Sequence, residues 1–161
     1  MPIQDTQEFI IELEKQGELK RVKTEVNQDL EIAEILRREM YSNGPAILFE
    51  NVKGHTMPVL GNAFGSMKRL EIGLEMKEFT EIGQRITDMT KMDMPSGLLN
   101  KIKKLPELSK MTASFPKSQS SGLVTEVTST DASFDDLPII KSWPDDAGRF
   151  ITLGLIATKH P

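Results

Sequence analysis

The sequence predicts an α/β domain followed by the opening of an all-β unit. Apolar residues recur at helical spacing in the first part of the chain, short apolar runs interrupt them, and the pattern changes near residue 91. Helices alternating with short strands are typical of helices packed on a small mixed sheet. The 161 residues are enough for one domain, or for one domain and part of another. We therefore expect an N-terminal α/β domain over 1–110, a linker over 111–122 and a β domain over 123–161.

The first predicted helix has a start signal, an apolar face and a stop signal. Asp5 can accept the amide protons that a helix leaves unpaired at its start. Phe9, Ile10 and Leu13 then fall on one face, and Gly17 is the residue type that most often ends a helix.

The second helix and the sheet follow in short segments. A short edge strand is expected over 19–22, and the apolar stripe over 30–40 predicts an amphipathic helix that ends at the turn residues 42–45. The run 46–49 is too short for a helix and predicts a buried strand. Another strand is expected over 57–60.

Helical periodicity returns between residues 66 and 90. Gly73 and Gly83 lie inside this stretch, and each costs a helix about 1 kcal/mol relative to Ala. We therefore expect two short helices rather than one long helix.

The end of the chain predicts β structure that is cut short. The stretch 150–158 is rich in β-branched residues, as a central strand would be, but the sequence stops three residues later. Too few residues precede it to supply the neighbours that a central strand needs. We expect the sequence to end inside a second domain, with this strand pairing with its own β segment or with another copy of the chain.

Composition excludes several classes of function. The chain has no cysteine, which excludes thiolate catalysis, disulfide scaffolds, iron–sulfur clusters and cysteine-ligated zinc. Its 20 Lys and Arg against 24 Asp and Glu form no basic arm, so nucleic acid is not an expected partner. The sequence has no apolar stretch of about 20 residues and no secretory signal, which predicts a cytoplasmic protein without a transmembrane segment.

Two motifs admit both a chemical and a structural interpretation. His55 and His160 lie far apart, which favours a turn residue and a loop residue over a metal site. Residues 61–66 lie between a strand and a helix, where backbone amides could hold a phosphate. They lack the nucleotide-binding spacings, so a turn with Ser66 capping the next helix is favoured.

The remaining candidates are acidic, aromatic and basic. The pairs 135–136 and 145–146 are both Asp-Asp and could bind a hard cation, but their neighbours favour turn and capping roles. Trp143 is interpreted as a packing anchor rather than a stacking platform. The lysines at 101, 103 and 104 have no aromatic residues between them, which favours a solvated face over nucleic-acid binding.

Beyond these motifs, six strings follow one another in a recognisable order: residues 9–21, 30–35, 44–54, 58–66, 137–140 and 143–152. In this order they resemble the N-terminal part of the UbiD family of decarboxylases. It covers nearly the whole chain apart from about 89–121.

The resemblance implies a fold and an activity. Members of the family have an N-terminal α/β domain, a split β-barrel similar to that of flavin reductases, and a C-terminal domain. They are carboxy-lyases that reversibly decarboxylate aromatic or α,β-unsaturated acids with prenylated FMN, a divalent metal (Mn or Mg) and potassium. The flavin acts as an electron sink, while the protein supplies positioning and proton delivery. A small carboxylic acid substrate, a role in ubiquinone or menaquinone biosynthesis and a homo-oligomer are implied as well.

The resemblance places very little of the active site within these residues. Thr152 matches a position near the flavin, whereas the cofactor, metal and catalytic residues of the family would follow the present sequence. We expect catalytic residues and metal ligands to be absent from this chain and the chain alone to be inactive. The alternative is a stand-alone binding or assembly module, which a stop codon directly after Pro161 would favour.

Overall fold

The structure is a computed structural model that describes residues 3–78, 80–90, 122 and 126–151. Its helices and strands are, in chain order, α1 (Thr6–Lys15), β1 (Leu19–Val22), α2 (Glu31–Tyr41), β2 (Ala46–Phe49), β3 (Val59–Gly61), α3 (Met67–Gly73) and α4 (Glu81–Thr90), followed by a 3₁₀ turn, Phe134–Asp136. The described residues divide into two compact units. One lies within 1–79 and 132–161, and the other lies within 80–131.

The sheet of the first unit is small and mixed, as the sequence predicted. β2 lies in the centre, with β1 parallel on one side and β3 antiparallel on the other. The register pairs Leu19 with Ala46 and Leu60 with Leu48. All four residues of β2 are buried, which confirms the prediction of a buried strand from its unbroken apolar run.

Helices cover both faces of β2. Neighbouring residues of a strand point to opposite sides, so β2 contributes different side chains to each face. On one face, Ile47 and Phe49 pack with Ile32 of α2. On the other face, Ala46 packs with Leu13 of α1, in a cluster that also includes a residue of α3. The first unit therefore has three layers, with the sheet in the middle.

The predicted boundaries of α1 are confirmed. The Asp5 carboxylate accepts a hydrogen bond from the Glu8 amide at 2.9 Å, and Gly17 adopts the left-handed conformation that ends the helix, with φ +71°. The predicted apolar face is the buried one, with Phe9 and Leu13 against the sheet.

α3 and α4 are separate helices, as the glycines predicted. Within α4, Gln84 Nε2 donates to Asp88 Oδ1 at 2.9 Å, and Arg85 pairs with Glu81 at 3.7 Å. Across the described ranges, no helix is both long enough and apolar enough to span a bilayer.

The predicted β domain is described only in part. The described residues of 126–151 form the 3₁₀ turn and a single bridge residue, Lys141, with no longer strand among them. Most of the predicted linker over 111–122 and of the predicted strand over 150–158 lies outside the described residues. The split barrel and the domain boundaries stay predictions.

Candidate functional site

A tight loop before α2 holds one carboxylate in a fixed position. The Asn27 side chain accepts from the Asp29 amide at 2.9 Å, and the Glu31 carboxylate accepts from the Asn27 amide at 2.7 Å. Leu30 has φ +66°, a left-handed conformation that is costly for a residue with a branched side chain. The surrounding bonds therefore impose this backbone shape and hold the Asp29 backbone in place.

A later segment of the chain pairs with this loop. The Leu30 amide donates to the Lys141 carbonyl at 3.0 Å, and the Lys141 amide donates to the Gln28 carbonyl at 3.1 Å. Ile140, next to Lys141, packs against the core cluster that contains Ile32. The segment is thus attached by backbone bonds and by one apolar side chain.

An ion pair makes a second attachment eight residues further on. Arg149 Nε lies 2.8 Å from Asp29 Oδ1, and Arg149 Nη2 lies 2.9 Å from Asp29 Oδ2, which is a bidentate arrangement. The bond from Arg149 lowers the pKa of Asp29, and the same bond raises the pKa of Arg149. Both side chains are about two-fifths exposed, so solvent screens the pair.

A buried amide links Arg149 to a histidine. Gln28 is only 4% exposed, and its side-chain amide is assigned the orientation in which both of its ends find partners. In that orientation its oxygen accepts from Arg149 Nη2 at 3.0 Å and also from Nη1. Its amide nitrogen lies 2.8 Å from His55 Nε2, and the other ring nitrogen, Nδ1, lies 3.4 Å from the Asp136 carbonyl. We call Gln28, Asp29, His55 and Arg149 the polar junction.

The polar junction can position a chain segment, but its side chains do not form a catalytic arrangement. It has no nucleophile beside a base, and no group of three or more metal-ligating side chains occurs within the described ranges. The described residues therefore do not by themselves fit a divalent metal, and we derive no catalytic step through one. Their chemistry is the fixing of Arg149, three residues before Thr152 in the sequence.

Sequence reasoning missed Gln28 and Asp29. Asp29 and Arg149 lie 120 residues apart, and no local pattern connects them. The only signal was the string 143–152, which contains Arg149 and Thr152. Thr152 itself lies outside the described residues, as do His160 and the lysines at 101, 103 and 104. His55 is a turn residue, as predicted, because its amide donates to the Val52 carbonyl at 3.0 Å, and its ring also belongs to the polar junction.

The glycine-containing loop 61–66 is a structural turn, as favoured. Asn62 has φ +55°, and its side-chain nitrogen Nδ2 donates to the carbonyls of Gly44 at 3.1 Å and Pro45 at 3.0 Å. Ser66 caps α3 by accepting from the Arg69 amide at 3.2 Å. The polar groups of Asn62 and Ser66 thus bind the chain's own backbone.

One aspartate of each pair has the predicted turn or capping role. Asp136 accepts from the Ser133 amide at 2.9 Å, and Asp146 accepts from the Trp143 amide at 2.9 Å. The prediction for Trp143 was wrong, because its side chain is 63% exposed and cannot anchor a core. Trp143 instead lines a groove of about 710 Å³ beside α2, together with Leu30, Met40, Tyr41 and Pro144.

Two family models match the chain in sequence order. The 3-octaprenyl-4-hydroxybenzoate carboxy-lyase N-terminal domain matches residues 10–86, and the Rift-related domain of the same carboxy-lyase matches residues 116–161. The chain belongs to the UbiD family. The predicted resemblance to the N-terminal part of a UbiD protein is confirmed. The two matches also show that the chain is related to a family of carboxy-lyases.

Curated relatives of this UbiD chain are longer proteins. An uncharacterized protein of Aquifex aeolicus (strain VF5) is 44% identical over 160 residues, which is 98% of this chain and 33% of the relative. An uncharacterized protein of Archaeoglobus fulgidus is 40% identical over 161 residues, which is 100% of this chain and 33% of the relative. The chain spans about a third of the length of these relatives.

Solved structures similar to this UbiD chain include a decarboxylase and another UbiD-class enzyme. The vanillic acid decarboxylase of Sedimentibacter hydroxybenzoicus, in its open form, is 36% identical, with a TM-score of 0.45 over 47% of this chain and 17% of that one. The UbiD-class enzyme HmfF of Pelotomaculum thermopropionicum, in complex with FMN, is 31% identical, with a TM-score of 0.39 over 44% and 15%. An evolved dimeric form of HmfF, in complex with prFMN, is 26% identical, with a TM-score of 0.46 over 55% and 20%.

Proposed function

We propose that this chain works as the N-terminal part of a longer carboxy-lyase that uses prenylated FMN. The observation that carries the proposal is the match to two UbiD family models in the family's own order. The reaction would be the reversible decarboxylation of aromatic or α,β-unsaturated carboxylic acids, in the biosynthesis of ubiquinone or menaquinone. The cofactor would be held with Mn²⁺ or Mg²⁺ and potassium in a cytoplasmic homo-oligomer, with Thr152 beside the flavin.

Within that enzyme, the described residues would orient the chain that enters the flavin-binding barrel. The backbone bonds at Lys141 and the bidentate pair of Arg149 with Asp29 hold two points of the segment that leads to Thr152. Two attachments eight residues apart restrict the direction of a segment as well as its position. A fixed direction matters because a displacement of about 1 Å in a positioned group can lower a rate about a hundredfold.

The chain alone would be inactive, because the metal ligands and the acid–base residues of the family would be supplied by the rest of the enzyme. The test compares the 161-residue chain with the longer polypeptide that contains it. Each is mixed with prenylated FMN, Mn²⁺ and K⁺, and carbon dioxide release is measured with a panel of hydroxybenzoates and cinnamates. We expect release only from the longer polypeptide. Turnover by the 161-residue chain, or no turnover of any acid by the longer polypeptide, would contradict the proposal.

The second candidate function is a stand-alone binding or assembly module with the UbiD N-terminal fold. The observation that favours it is the apolar groove at Tyr41 and Trp143, because exposed apolar patches mark interaction sites. The intact mass of the cellular protein decides between the two candidates. A mass near 18.1 kDa would support the module, and a mass about three times larger would support the enzyme.

A further inference from the structure

His55 has a place in the polar junction that its neighbours define chemically. Its Nδ1 faces the Asp136 carbonyl, which can only accept, and its Nε2 faces the Gln28 side chain. A neutral ring protonated on Nδ1 satisfies both contacts, since Nδ1 donates to the carbonyl and Nε2 accepts from the Gln28 amide nitrogen at 2.8 Å. This arrangement leaves the Gln28 oxygen free to accept from Arg149.

A second proton on His55 would disturb this arrangement. With a proton on Nε2, the ring nitrogen and the Gln28 amide nitrogen would be two donors facing each other. The remaining acceptor is the Gln28 oxygen, which lies 3.0 Å from Nε2 and already accepts from both Nη atoms of Arg149. A carbonyl oxygen has two lone pairs, so a protonated His55 would compete with Arg149 for them. It would also place a second positive charge beside the guanidinium.

We propose that His55 is a positioning residue whose neutral form, acting through the buried Gln28, fixes Arg149 and thereby the segment that leads to Thr152. The consequence of this positioning at the flavin rests on the proposed function. The inference deepens that function by making the attachment of Arg149 sensitive to pH. Histidine is the side-chain type whose ordinary change of charge lies between about pH 5 and pH 8, so the test compares two pH values in that range.

The other charged groups around Arg149 do not produce the same response. The bond from Arg149 lowers the pKa of Asp29 below its ordinary value of 3.8. The stabilisation from Asp29 is therefore complete above that value and is lost only as the pH falls below it. Asp135 influences Arg149, and Lys141 influences Asp29, only through the attraction between their opposite charges. A change between pH 7 and pH 5 that His55 variants abolish is thus assigned to His55.

The experiment measures how well the Arg149 side chain is held in the 161-residue chain itself. Exchange of its Nε proton with water is followed by NMR on arginine labelled with ¹⁵N at pH 7.0 and pH 5.0. The internal reference is Arg21, which forms a similar bidentate pair with Glu14 at 2.7 and 2.8 Å and has no histidine among its bonded partners. The ratio of the two exchange rates removes the intrinsic effect of pH.

We expect the ratio of Arg149 to Arg21 exchange to rise about fivefold at pH 5.0, the equivalent of one net hydrogen bond. In His55→Gln, whose side-chain oxygen can still accept from Gln28, the ratio should not change with pH. In Gln28→Glu, a carboxylate accepts from both cations, and the ratio should stay low at pH 5.0. His160→Gln is the control for the other histidine and should behave as the parent chain does.

Each outcome of this experiment counts for or against the inference. A ratio that is constant in the parent chain, or a rise that persists in His55→Gln, would overturn it. The inference would also be overturned if the exchange ratio of a Gln28→Glu chain rose at pH 5.0 as much as that of the parent chain, while its amide spectrum showed that it is folded. The measurement needs no turnover, so failure of the carboxy-lyase proposal and failure of this inference are recorded separately.

Discussion

The buried guanidinium of Arg69 gives a prediction about stability. Arg69 is 2% exposed, its Nη1 lies 2.9 Å from Glu18 Oε2, and its Nε has no hydrogen-bond partner among the described residues. Lys68 approaches the other oxygen of Glu18 at 3.0 Å. Bonds from Lys68 and then from Arg69 lower the pKa of Glu18. We expect Glu18→Gln to destabilise the fold far more than Arg69→Met.

The physical reason is the difference between removing a buried charge and leaving it unpaired. Breaking a fully buried ion pair from one side costs about 3–5 kcal/mol, whereas replacing the buried ion with an apolar side chain of similar volume is often neutral. The side chain of Glu18 is 19% exposed, so water partly replaces it, and we expect about 2–3 kcal/mol for Glu18→Gln. Arg69→Met also removes the unpaired Nε and should change the free energy of unfolding by less than about 1 kcal/mol.

Thermal unfolding followed by circular dichroism measures the difference. In a chain of this size, 1 kcal/mol shifts the Tm by about 2–4 °C, so Glu18→Gln should lower it by about 4–12 °C. Glu14→Gln, which breaks the exposed pair with Arg21, is the matched control and should leave the Tm nearly unchanged. A loss in Arg69→Met equal to that in Glu18→Gln would refute the reasoning, because it would show that the pair is net stabilising.

Two further predictions test local structure in the first unit by chemical denaturation. Asn62→Gly should cost about 1–2 kcal/mol through the loss of its two side-chain bonds, and Asn62→Ala about 1–2 kcal/mol more, because Ala is strained at φ +55°. Equal losses in the two variants would show that the left-handed backbone carries no cost here. Asp5→Ala should cost about 1 kcal/mol by removing the cap of α1, and Asp5→Ser, which can still cap, should recover most of it. Loss of the same size in both Asp5 variants would rule out capping as the cause.

The parts of the fold that could be predicted are those that depend on neighbouring residues. The cap at Asp5, the left-handed Gly17 and the unbroken apolar run of β2 each follow from a few adjacent side chains, and each is confirmed. The division between α3 and α4 followed in the same way from glycines inside a helical pattern.

The parts that could not be predicted depend on distant contacts. Nothing local in the sequence pairs Asp29 with Arg149, since the fold brings the two together across 120 residues. The left-handed conformation of Leu30 is imposed by bonds from Lys141 and the preceding loop rather than by its own preference. Trp143 was wrongly expected in a core because tryptophan side chains are highly buried on average. Its position within the described stretch 126–151 leaves it exposed.

The attachment of Arg149 to Asp29 is the central structural claim, and its most direct test is the rate of carbon dioxide release. The longer polypeptide, loaded with prenylated FMN, is compared with its Asp29→Asn and Glu14→Gln variants. Both substitutions remove one carboxylate charge from an exposed bidentate pair, but only Asp29 holds the segment before Thr152. We expect Asp29→Asn to lower the rate about fivefold, corresponding to about 1 kcal/mol for the pair, and Glu14→Gln to leave it unchanged. Equal rates in the two variants would contradict the account.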